Sequence, residues 1–218
     1  MRFIQFVLQG PLQSWGERSR WDSRDTATMP TKSGILGMIG CCMGIPRGSE
    51  KLYEMDQKLH VAVRADRLGR IMTDFHTVQA SKGQKMINAQ GKPRGETIIT
   101  PKQYLQEAQF TVFIWGDEEM MKQVRESMLH PFWVPFLGRK SCVPSVPILP
   151  KIVEARNIEE AIIIDGRENA LVEIEFLPGD VLRMDERLIQ RPDRIVDASR
   201  NEYRIRMVRA STLPWREE

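Results

Sequence analysis

Two tryptophans and three arginines share one short span, "PLQSWGERSRWDSRD", where Trp15 and Trp21 alternate with Arg18, Arg20 and Arg24. Cations beside flat rings can hold phosphates while bases stack, which is how single-stranded nucleic acid is gripped with little regard to its sequence. The same rings suit a core, and residue type alone leaves both uses of Trp15 open. A second cluster, Gly138-Arg139-Lys140-Ser141, puts a glycine, two cations and a hydroxyl together as a candidate phosphate cradle. In "TKSGILGMIGCCMGI", Lys32, Ser33 and Gly34 open an apolar run whose first free amides favour an anion. The polar arm "QASKGQKMINAQGKPRGE" adds Lys82, Lys85, Lys92 and Arg94, a few residues after His76. The first three of these sets, together in one chain, point to RNA.

Other chemistry lacks its parts. His60, His76 and His130 lie far apart, with no H-x-H, no H-E-x-x-H and no paired carboxylates, so no metal site and no metal cofactor are expected. His60 opens a strand pattern and His130 ends a helical one, positions that are usually structural. No G-x-x-x-x-G-K-[ST] and no G-x-S-x-G occurs, which argues against nucleotide hydrolysis and a serine nucleophile. Three cysteines, two of them adjacent, form neither a disulfide framework nor C-x-x-C zinc spacing, so the cytoplasm is the expected compartment. The N-terminus reads as a strand and lacks the features of a secretory signal.

The elements that must position these residues follow from periodicity. "RFIQFVLQG" is a strand, "SEKLYEMDQKL" a short helix, "HVAVRAD" and "AQFTVFIWG" strands, and "DEEMMKQVRESML" a helix with acids in its first turn. "RIMTDFHTV" and "TIITPKQYL" have strand character and flank the basic arm, a hairpin or mobile segment. After about residue 151 short strands and turns are expected, "ALVEIEF" the clearest.

Residues 31–47 read as a helix capped by Thr31 or Ser33 that carries Gly34, Gly37, Gly40 and Gly44 along one narrow face. Each helical glycine costs roughly 0.5–1 kcal/mol relative to alanine. Two explanations stand: close helix packing, or bare backbone that lets Gly34 and Gly37 approach a ligand or partner chain. A membrane role fails, because the apolar run is far short of the ~20 residues a spanning helix needs.

Net charge is only +3 over 218 residues, but it is uneven. Residues 76–104 hold five cations against Glu96, and residues 187–209 hold seven arginines against three acids. Between them, residues 154–180 hold eight acids against Arg156 and Arg167. That alternation suggests a polyanion-binding side and a solvated or partner-binding side.

The order of elements fits an α+β fold with a ferredoxin-like (split β-α-β) domain over residues 1–150 and a smaller β-rich part over 151–218. The string of motifs "GPLQSWG", "PTKSGILGMIGCCMGI", "FHTVQ", "ETIITPKQYL", "FTVFIW" and "PFLGRKSCVPSVPIL" resembles the CasD family, the RAMP-type subunits of the type I-E CRISPR Cascade complex. The resemblance implies an RRM-like RAMP domain with a thumb at about residues 79–96. It also implies non-catalytic binding of the repeat-derived 5′ handle of the CRISPR RNA, docking to the backbone and large subunits, and contact with target DNA through the complex. Relatives in type I-C systems cut precursor RNA without metal. His76, Lys82, Lys85 and Tyr104 could supply that chemistry here, and a scaffold without RNA contact is a third reading.

Overall fold

Alternating apolar residues make Arg2–Gln9 a strand (β1) that buries both of its faces. The computed structural model describes residues 1–17, 23–81, 83–88, 90–95 and 97–214. After β1 come a two-residue strand, β2 (Leu12–Gln13), and helices α1 (Lys32–Cys42) and α2 (Glu50–Lys58). Then follow β3 (Leu59–Arg67), β4 (Arg70–Gln79), β5 (Met86–Ile87), β6 (Pro93–Arg94), β7 (Thr97–Gln106) and β8 (Gln109–Gly116). The chain continues through α3 (Glu118–Leu129), β9 (Lys151–Glu154), α4 (Ile158–Ile163), β10 (Leu171–Glu175), β11 (Arg187–Asp197) and β12 (Glu202–Thr212). Among the described residues, no helix is long and apolar enough to cross a membrane.

Seven strands form one sheet in the order β11-β12-β10-β3-β8-β1-β9, and each neighbouring pair is antiparallel. The period of two divides its side chains between two cores. Ile4, Phe6 and Leu8 of β1, Val61 and Val63 of β3, and Phe110, Val112 and Ile114 of β8 pack beneath α1, α2 and α3. Phe3, Ala62, Phe113 and Trp115 face the other way, against α4 and Val172 and Ile174 of β10. Each such aliphatic or aromatic side chain contributes about 1.5–3 kcal/mol by burial. The helix starts are capped as the sequence suggests: Thr31, Ser49 and Asp117 each accept a backbone amide of the first turn.

β4 and β7 form a ribbon of ten paired residues, from Arg70↔Gln106 out to Gln79↔Thr97, with the small β5–β6 pairing beyond it. The basic arm is therefore the distal part of a longer, largely exposed hairpin.

Two expectations change. α1 ends at Cys42, so three glycines, not four, lie inside it; Gly44 follows the cap at φ +68, a left-handed position that glycine adopts without strain. Beyond residue 151, β11 and β12 run to eleven residues each rather than forming short strands. They were hidden because their inward positions are charged. Arg206 pairs bidentately with Asp193 at 2.8 Å, and Arg209 pairs with Glu186 at 2.9 Å and with Glu159. β10, between β3 and β12, joins this hairpin to the same sheet.

Candidate functional site

The glycines of α1 separate once their surroundings are compared. A Cβ on Gly34 would stand 2.9 Å from the Trp15 ring and from Thr31 Oγ1, and one on Gly40 would stand 2.8 Å from Leu52 of α2. Close packing accounts for both. A Cβ on Gly37 would meet nothing within 4 Å, and the residue is exposed. Ser33 and Cys41, one turn to either side, are half-buried, so Gly37 is the bare centre of an accessible helix face.

The start of this helix is already neutralised from within. Lys32 is 0% exposed, and its Nζ donates to Glu175 Oε1 at 3.0 Å and to the Asp56 carbonyl at 2.9 Å. Its backbone amide donates to Asp193 Oδ2 at 2.7 Å. Burial lowers the Lys32 pKa, opposed by Glu175 and Asp56. At Glu175 burial acts to raise the carboxyl, but His60, Lys32 and Arg206 outweigh it and hold it at about 2. Lys32 therefore ties α1 to α2 and β10, and the expectation that it meets a phosphate is corrected: a carboxylate already occupies that position.

Trp15 is corrected likewise. It is 1% exposed, packs on Gly34 and donates Nε1–H to Gln13 Oε1 at 3.0 Å. No base can stack on it. Arg18 and Arg20 lie outside the described residues. Arg24 is exposed, and its backbone bonds to Pro101 and Gln103 of β7.

Gly138 sits at φ +86, where a Cβ would stand 1.7 Å from the Ser14 carbonyl, so this turn tolerates only glycine. Arg139 is fixed across the ribbon base. It donates to the Gln103 carbonyl at 3.0 Å and to the Arg24 and Asp25 carbonyls at 3.3 Å, and lies 4.7 Å over the Tyr104 ring. Lys140 and Ser141 beside it are exposed. Lys140 lies close enough to Cys41 to lower its thiol pKa against the stronger, opposite effect of burial. The charge of Lys140 is thus felt at Cys41, one turn beyond Gly37 on α1.

The basic arm stands apart from this face. Lys85 and Lys92 are exposed near its tip, and Arg94 belongs to β6. Neither Lys85, Lys92 nor Lys140 takes part in an ion pair among the described residues. Lys82 lies outside them. Nearer the base, His76 Nε2 is 2.7 Å from Asp74 Oδ2 and 3.3 Å from the Tyr104 hydroxyl, while Lys102 Nζ is 3.2 Å from its Nδ1. Asp74 and Lys102 face each other across β4 and β7, a pairing that needs the strand register to be seen.

The C-terminal arginines spend much of their charge inside the protein. Arg191 pairs with Glu173 and Glu17, Arg194 with Asp56, Arg206 with Asp193, and Arg209 with Glu159 and Glu186. Two of these pairs, Arg191–Glu173 and Arg209–Glu159, join the C-terminal basic segment to the acidic one.

Sequence reasoning passed over Phe132 and Trp133, which are 72% and 45% exposed. Their amides donate to the Cys42 and Cys41 carbonyls at the end of α1. The available signal was "HPFWVP", aromatic residues between prolines, where neither helix nor strand can bury them regularly.

Comparison with known proteins identifies the family of the chain. The profile of the CRISPR-associated protein family Cas5 matches residues 3–210. The protein described as "CRISPR system Cascade subunit CasD", from Escherichia coli (strain K12), is 32% identical over 173 residues, covering 74% of this chain and 75% of its own. A solved chain of a CRISPR RNA-guided surveillance complex superposes with TM-score 0.71 at 27% identity, covering 96% of this chain and 89% of that one. A crystal structure of a Cas protein superposes with TM-score 0.66 at 28% identity, over 97% of this chain and 95% of that one.

Proposed function

This chain belongs to the Cas5 family of CRISPR-associated proteins, and we propose that it holds the repeat-derived 5′ handle of a CRISPR RNA as a non-catalytic subunit of a type I-E Cascade complex in the cytoplasm. The observation that carries this reading is Gly37. Packing explains Gly34 and Gly40, and chain reversal explains Gly44, but Gly37 bears the cost of a helical glycine with open space before it. An RNA strand lying against that backbone accounts for the cost. Ser33 and Lys140 border the face as hydroxyl and cation, and Lys85, Lys92 and Arg24 supply further charge for phosphates along the ribbon.

We read strands β1, β8 and β3, with α1 and α3 over one face, as the ferredoxin-like RAMP unit of residues 1–150, with β9 pairing along its β1 edge. Residues 79–96 form its thumb, and residues 151–218 are the smaller β-rich part. The ribbon face with exposed Ile71, Phe75 and Ile99 suits docking against a neighbouring backbone or large subunit, through which target DNA is reached. The reading is tested by mixing the purified protein with its repeat RNA and with unrelated RNA of equal length. Preferential binding without cleavage supports it, and equal binding to both sinks it.

One observation favours a second reading, metal-independent cleavage of precursor RNA. His76, placed between Asp74, Lys102 and Tyr104, has an acceptor, a cation and a hydroxyl within 2.7–3.3 Å. Repeat RNA left intact after incubation with chelator rules cleavage out. Cleavage that His76→Ala abolishes establishes it.

A further inference from the structure

Phe132 lies against the backbone of Gly44, where a Cβ would stand 2.9–3.3 Å from its side-chain atoms. Trp133 meets it nearly at right angles, with ring centroids 5.0 Å apart and planes at 83°. Both rings are anchored from behind: the Phe132 amide donates to Cys42 O at 2.8 Å, and the single proton of the Cys41 thiol is shared between the carbonyls of Trp133 and Val134, at 3.8 and 3.6 Å from Sγ. The Phe132 ring is thus held by backbone on one side while most of its surface meets solvent. No acidic residue occurs anywhere in residues 131–150, whereas Arg139 and Lys140 do. Lys140 is exposed on the same segment, seven residues beyond Trp133, whose amide bonds to the Cys41 carbonyl. An apolar protein partner would ask for neither the cation nor the bare backbone at Gly37. A single-stranded polyanion with flat bases asks for all three.

We propose that Phe132, held by Gly44 and Trp133, is a stacking platform for one unpaired base of the bound RNA, with Lys140 on an adjacent phosphate and the strand crossing α1 at Gly37. The assignment rests on the RNA reading above and moves the stacking role from Trp15 to a residue with an accessible ring. An aromatic platform takes any base, so the contact adds affinity with little sequence preference.

The test uses the full chain and fluorescein-labelled repeat RNA, with 2-aminopurine placed at each handle position in turn. Phe132→Ala is expected to raise the Kd about tenfold. It should also abolish 2-aminopurine quenching at one position while leaving the salt dependence of Kd unchanged. Phe132→Tyr should keep both affinity and quenching, and Trp133→Ala, which removes the buttress, should weaken both. Lys140→Ala should instead flatten the salt dependence by about one unit of slope. A Phe132→Ala protein with wild-type melting, affinity and quenching overturns the platform while leaving RNA binding intact. A wild-type protein that ignores repeat RNA overturns the RNA reading itself. A wild-type dimer in sedimentation, lost in Phe132→Ala with RNA affinity unchanged, assigns the patch to a second copy of the chain and likewise overturns the proposal.

Discussion

A side chain placed at Gly37 separates the two uses of the glycine face of α1. Packing and function make opposite forecasts there, because the position is open while the residue is inside a helix. Alanine adds helix propensity worth roughly 0.8–1 kcal/mol and meets no neighbour. In a chain of this size that raises Tm by about 2–4 °C. At Gly40 the same substitution puts a Cβ 2.8 Å from Leu52 Cδ2, so the propensity gain is offset by displacing a buried side chain. Leucine at Gly37 keeps most of the stability gain but stands where a bound strand must lie. Displacing the strand from the phosphate contact of Lys140, a charge-assisted hydrogen bond of roughly 1.5–3 kcal/mol, weakens RNA binding by at least about tenfold. The assay is a thermal melt paired with repeat-RNA anisotropy for Gly37→Ala, Gly37→Leu and Gly40→Ala. A fall in Tm for Gly37→Ala would show that the face is packed. A Gly37→Leu protein that melts higher and binds as tightly as wild type would refute the close approach of RNA.

Other substitutions test the supporting parts. Trp15→Ala should lower stability by about 3–5 kcal/mol in denaturant titrations, as for any fully buried aromatic; a stable variant with weakened RNA binding would return Trp15 to the site. Lys32→Met removes the buried cation shared by Glu175 and Asp56, leaving only Arg194, Arg206 and His60 around them, and should cost up to about 3–5 kcal/mol; a near-neutral result would mean that those groups suffice. Glu175 titrates at about 2 in the folded protein against an ordinary 4.5. Its contribution is therefore full above pH 4.5 and is lost as pH falls toward 2, about 3 kcal/mol in all. Wild type should then lose stability more steeply through that window than Glu175→Gln, and parallel acid melts would count against the ion pair.

How much of this was legible in the sequence depended on whether burial followed hydrophobicity. β1, β3, β8, α2 and α3 carry the expected period, and polar caps mark the helix starts, so local pattern and tertiary structure agree. β11 and β12 were obscured because Arg206 and Arg209 point inward, and their neutralising acids, Glu159 and Asp193 among them, lie elsewhere along the chain. Lys32 misled for the same reason. A lysine in the first turn of a glycine helix resembles a phosphate ligand until Asp56, Glu175 and Asp193 are brought to it across 24, 143 and 161 residues. Within the site, "GRKS" and the glycine helix could be seen separately, but only the folded chain lets the charge of Lys140 act on Cys41. Phe132 and Trp133 carried no periodic signal, since a proline-flanked aromatic run is compatible with either core or surface.

The central claim is that repeat RNA crosses α1 beside Lys140 and follows the basic ribbon. The measurement that meets it most directly is repeat-RNA affinity across a salt series for wild type, Lys140→Ala, Lys85→Ala and, on α3, Lys122→Ala, whose exposed ammonium already pairs with Glu119. Removing one cation that neutralises a phosphate should reduce the slope of log Kd against log salt by about one unit. The account predicts such a reduction for Lys140→Ala, an equal or smaller one for Lys85→Ala on the arm, and none for Lys122→Ala. Wild-type slopes for both Lys140→Ala and Lys85→Ala would place the RNA on another surface and contradict it.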